Sequence, residues 1–115
     1  MRDIQTRADI EEFITLFYGK VAKDPDLSPF FVNIDWEKHL PQMIHFWCFA
    51  LLDEAGYTTN VVEKHLHMPF KAAHFSTWLQ YFNETIDTLF SGEKADAAKQ
   101  RAAVIGWTIQ SKVEK

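Results

Sequence analysis

The stretch KAAHFSTWLQYFNETIDTLF, residues 71–90, decides the fold class. Phe75, Trp78, Leu79, Phe82, Ile86, Leu89 and Phe90 recur at steps of three and four. That spacing winds into one apolar stripe along an α-helix, whereas on a strand it would scatter over both faces. Ser91-Gly92 breaks the pattern. Beyond it, about 94–112, Ala98, Ala102, Ile105, Ile109 and Val113 place a second apolar stripe on a last helix. On the other side, the pattern weakens from Tyr57 to Pro69. There Asn60 with Glu63 caps one or two turns holding Val61, Val62, His65 and Leu66, a loop with a short helix.

Further upstream, Trp36, Leu40, Met43, Trp47, Cys48 and Leu51 mark another helix behind Asn33 or Asp35, both good caps. Pro41 fits a first helical turn but not a helix middle. A short turn at about 34–39 is therefore expected, with the long helix starting near His39 to Pro41 and stopping at Gly56. The first helix runs from about Ala8 to Lys23 on Ile10, Phe13, Ile14, Phe17 and Val21, with Thr6 and Asp9 as a capping pair. Asp24-Pro25-Asp26 ends it. Leu27 to Phe31 then reads as a tight connector delivering Phe30 and Phe31 to the interior. No stretch alternates as a strand does, so the fold class is all-α.

The chain has 115 residues, which predicts one domain over 1–115. Twelve Lys+Arg against 16 Asp+Glu give a net charge of -4, without the basic stripe of a nucleic-acid binder. Cys48 is the one cysteine, so no internal disulfide forms and a reducing cytoplasm is the expected location. No apolar run approaches the ~20 residues of a membrane span, and the N-terminus lacks the apolar core of a signal peptide. The aromatic content stands out: ten Phe, four Trp and three Tyr, with five His besides. Rings in that number pack on one another or line a pocket for something flat and apolar.

Chemistry is sparse by motif. There is no Gly-rich phosphate loop and no H-E-x-x-H, and His65 and His67 fall on different faces of a helix. A haem group fits the residues physically, since a porphyrin takes an apolar slot, one imidazole on the iron and a polar space opposite. From the residues alone His65 is either that imidazole or a surface histidine on a loop.

An ordered set of motifs goes further. Phe17-Tyr18-Gly19-Lys20-Val21 is followed by Asp24 to Phe31, with its two prolines. Then come Trp36-Glu37-Lys38-His39, His45-Phe46-Trp47, Lys64-His65-Leu66, Phe75 to Leu79, and Gln100-Arg101-Ala102. In order and spacing, from about residue 8 to 112, the chain resembles the truncated haemoglobins, two-over-two helical sandwiches, and among them the third group. The glycine pairs that mark other groups are absent, as that group implies.

The resemblance implies haem b, with His65 as proximal iron ligand and His67 its rival. It makes Tyr18 and Trp78 the distal hydrogen-bond donors, His39 a distal or gate residue and Phe31 a wedge against the porphyrin. Met43 and Trp47 fall on the haem side of their helix, and Leu66, Phe75 and Phe82 join the cofactor contacts. Lys38, Lys64, Lys71 and Arg101 are candidate partners of the propionates. His45 and His74 are expected at the surface or in helix packing, and Cys48 as a small buried hydrophobe. The implied function is reversible binding of dioxygen or another diatomic. Iron-bound dioxygen gains negative charge, which a phenol O–H and an indole N–H stabilise in a dry pocket. Turnover against nitric oxide or peroxide would need a separate reductase. The competing reading is a haem-free helical interaction module of globin shape.

Overall fold

The computed structural model describes residues 1–31, 35–52 and 72–113. Among them are four helices and no strand: α1 (Arg7–Val21), α2 (Trp36–Leu52), α3 (Ala72–Leu89) and α4 (Glu93–Val113), with one 3-10 turn at Ser28–Phe30. The expected turns around Asn60, the helix stop at Gly56, and the residues His65, Leu66, His67, Lys64 and Lys71 lie outside the described residues.

The start of α1 is the capping box expected from Thr6 and Asp9. The Thr6 hydroxyl accepts from the Asp9 N–H, and the Asp9 carboxylate accepts from the Thr6 N–H. Asp9 does more than cap. Its buried carboxylate also accepts from the Gln5 N–H at 2.9 Å and from the Arg2 guanidinium. This folds the preceding arm back onto the body and buries Ile4. The arm reaches the far end of the chain: Asp3 accepts from the Lys94 and Ala95 N–H groups, both at 2.9 Å. It caps the first turn of α4 from outside the helix, satisfying N–H groups that have no partner within it. Gly92, at φ 142°, makes room, because a Cβ there would stand 2.6 Å from the Asp3 carboxyl carbon.

At the other end of α1, Asp24 organises the connector. One carboxylate oxygen accepts from the Asp26 and Leu27 N–H groups at 2.8 and 3.0 Å, and the other from the Tyr81 hydroxyl at 2.6 Å. The connector delivers one ring to the interior, not two. Phe31 is buried, while Phe30 stays half-buried against His74 on α3, ring centroids 4.9 Å apart.

The expectation for Pro41 is corrected. α2 is continuous from Trp36, and Pro41 lies inside it. Asp35 starts the helix through its carbonyl, which accepts from the Lys38 and His39 N–H groups. Pro41, the sixth residue of the helix, removes one N–H donor from its ladder. The apolar face that follows (Met43, Ile44, Trp47, Cys48, Leu51) is buried and holds the segment helical.

α1 packs on α2 and on α3, and α3 runs along α4, so two helix pairs are layered on one another. Between them Phe82 is fully buried and in ring contact with Phe13, Phe17, Trp47 and Trp78. Cys48 is fully buried too, as expected. Among the described residues no helix is long and apolar enough to cross a membrane.

Candidate functional site

Adjacent residues near the end of α1 serve two clusters. The Phe17 ring turns into the central group around Phe82, and the Tyr18 ring turns toward α2. Because α2 starts at Trp36, the Trp36 and His39 side chains are one turn apart on the same face. Both meet Tyr18, at centroid distances of 5.4 Å for Trp36 and 5.6 Å for His39. Phe31 completes the group, 6.2 Å from Tyr18 and stacked on Trp36 at 6.1 Å and 21°. Three elements thus bring Tyr18, Phe31, Trp36 and His39 together.

Tyr18 is 6% exposed. Burial alone pushes its phenol far above the ordinary value, so the hydroxyl remains an O–H donor at any physiological pH. His39 is half-buried, stands edge-on to Tyr18 and Trp36, and has its Nε2 atom shielded from solvent. The arrangement offers polar hydrogen atoms inside an otherwise apolar, ring-lined space. Such a space favours a small ligand carrying partial negative charge.

The other expected site residues are placed as follows. Trp78 is half-buried on α3, T-shaped on Phe17 at 5.6 Å and stacked on Phe82 at 6.0 Å. Phe17, in contact with both Tyr18 and Trp78, joins the two donors' clusters. Met43 is buried on the face of α2 that carries His39. Trp47 packs at the centre on Phe13 and Phe82. Phe75 is buried, and both Phe75 and Trp78 lie against α4 at Gly106. Arg101 and Lys38 are exposed. His65 and Leu66 lie outside the described residues. Among the described residues no three His, Cys, Asp or Glu side chains converge as a metal cluster would.

Trp36 is the site residue that sequence reading missed as a pocket wall. Its signal was the spacing of three to His39, which the expected break at Pro41 concealed.

No known family's sequence profile matches the chain. The group 3 truncated haemoglobin of Campylobacter jejuni is 33% identical over 113 residues, covering 92% of this chain and 89% of that protein. The crystal structure of a group III truncated haemoglobin from the same organism superposes with a TM-score of 0.86 at 30% identity, covering 98% of this chain and 95% of that one.

Proposed function

Since the chain belongs to the group 3 truncated haemoglobins, we propose that it binds haem b through His65 and uses the Tyr18 side as a distal pocket for dioxygen or a related diatomic. The observation that carries this reading is the buried Tyr18 phenol, kept protonated among Phe31, Trp36 and His39. A phenol set among these rings stands where a small ligand could accept its hydrogen bond, which supports a role in binding.

The residues present fit the group. A phenol and an imidazole in one ring-lined space, with an indole across Phe17 from them, suit a porphyrin and a small ligand beside it. Haem, when bound, would supply an iron that takes up the diatomic. Tyr18 holds its proton at the phenol oxygen and offers it as a hydrogen bond to the ligand. Trp78 offers its indole N–H, which only donates. Phe31 and Trp36 exclude water, which strengthens both bonds. His39 tightens the pocket from the α2 side. The same donors polarise an O–O bond, so peroxide or nitric oxide chemistry would follow if a reductase partner returned the electrons.

An absorbance spectrum of the haem-reconstituted protein tests the reading. A strong Soret band that shifts with carbon monoxide and is lost in His65→Ala is the expected result. A colourless protein after haem addition overturns it in favour of a haem-free helical module.

A further inference from the structure

His74, Trp78 and Tyr81 stand at steps of four and three on α3, so they share one face of the helix. The connector between α1 and α2 meets that face twice. At one end the Phe30 ring packs edge-on against His74, with centroids 4.9 Å apart. At the other the Tyr81 hydroxyl donates to the Asp24 carboxylate at 2.6 Å, across 57 positions in the chain. Trp78 lies between the two attachments. A hydroxyl bonded to a carboxylate is among the shorter and stronger hydrogen bonds in proteins. Ring packing of Trp78 on Phe17 and Phe82 tolerates sliding, whereas a hydrogen bond has direction.

The connector end of this bond is itself fixed. The Asp24 N–H donates to the Val21 carbonyl at the close of α1, at 3.2 Å, and the Asp24 carbonyl accepts from the Ser28 N–H at 2.8 Å. The carboxylate oxygen that Tyr81 leaves free holds the Asp26 and Leu27 N–H groups, and Leu27 is fully buried. Phe31, in ring contact with Tyr18, follows the 3-10 turn that Ser28 opens. One aspartate thus joins the end of α1 that carries Tyr18, the turn that delivers Phe31 and, through Tyr81, the part of α3 that carries Trp78. We propose that Tyr81 and Asp24 are positioning residues for the pocket, a brace that sets where the Trp78 indole stands relative to the Tyr18 phenol. What Trp78 serves there rests on the haem reading above, whereas the brace itself does not.

Tyr81→Phe keeps the half-buried ring and removes the donor. Asp24→Asn keeps an acceptor for the connector N–H groups and removes the charge. In the haem-loaded carbon monoxide complex, a donor aimed at the ligand lowers the C–O stretching frequency. Both variants raise that frequency or split the band, and both quicken dioxygen release by about threefold, as loss of part of one hydrogen bond would. In a Trp78→Phe background, Tyr81→Phe changes neither quantity further, because its effect passes through the indole. Additive effects overturn the positioning role and leave a merely structural bond. An unchanged band and release rate in both variants overturn it too. In isotope-labelled tryptophan spectra, the Trp78 indole N–H resonance moves with Tyr81→Phe, while that of Trp107, exposed on α4, stays. A Trp78 resonance that stays in place overturns the brace, with or without haem. Failure of the haem reading is recognised separately, by a missing Soret band, and the indole resonance still reports on the brace in that case.

Discussion

Tyr18 and Tyr81 carry the same hydroxyl in opposite surroundings. The Tyr81 O–H donates to Asp24, which holds the Asp24 carboxyl below its usual range and raises the Tyr81 phenol. It ties α3 to the α1 connector. The Tyr18 phenol is raised by burial, with no carboxylate drawing on its proton as Asp24 does at Tyr81. Replacement Tyr18→Phe keeps the ring and removes the donor. A hydrogen bond to a charged acceptor contributes about 1.5–3 kcal/mol, so dioxygen release should quicken by roughly 10- to 150-fold. Stopped-flow displacement by carbon monoxide measures it, and an unchanged rate would remove Tyr18 from the pocket. A second residue-scale prediction concerns Asp9. The Arg2 guanidinium, aided by the Gln5 and Thr6 N–H groups, holds its carboxyl down to about 2. A lowered carboxyl stabilises the fold above its unfolded value near 4 and loses that contribution as pH falls toward 2. Wild type and Asp9→Asn should therefore differ in Tm at pH 6 and converge between about pH 4 and 2, as thermal melts followed by circular dichroism would register.

The helices themselves were legible as elements, since the three-and-four spacing is a property of each segment alone. The stripe of 71–90 reappears on α3, with Phe75, Phe82 and Ile86 buried and Phe90 buried just past the helix end, and the Thr6–Asp9 cap stands where the sequence set it. The start of α2 was misread because a local rule about Pro41 was weighed without the apolar face that follows. That face keeps the helix continuous, and the continuity sets Trp36 in register with His39. Proline inside a helix costs about 3 kcal/mol, partly offset by a stiffer unfolded chain. Pro41→Ala, at an exposed position, should raise stability by about 1–2 kcal/mol, visible as a higher urea midpoint with an unchanged slope. A lower midpoint would mean that the ring packs usefully at the turn. The arm before α1 gave no periodic signal at all, for five residues are too few to show one. Its role as the cap of α4 depends wholly on where the chain's other end arrives.

At the scale of the whole molecule, most of the buried rings among the described residues fall into two groups that meet at Phe17 and Tyr18, adjacent in the chain. One group, centred on Phe82, is core, with Trp78 at its half-buried edge. The other, centred on Tyr18, is the candidate pocket. Phe82 touches four other rings, and deleting such a side chain leaves a cavity costing about 3–5 kcal/mol. That is a large share of the roughly 5–15 kcal/mol that holds a domain folded. Phe82→Ala should accordingly lower the urea midpoint sharply, whereas a shift worth less than about 1 kcal/mol would mean the helices close over the gap. The sequence by itself determined the all-α class and the buried stripe of each helix, because the helical repeat is set by the backbone and needs no partner. It did not separate core rings from pocket rings, since Phe and Trp present the same apolar pattern in either place. Only the tertiary structure decided that Tyr18 faces Trp36 and His39, and that Asp3 caps a helix 92 residues away. These contacts follow from how the helices are layered, and no local period encodes that layering.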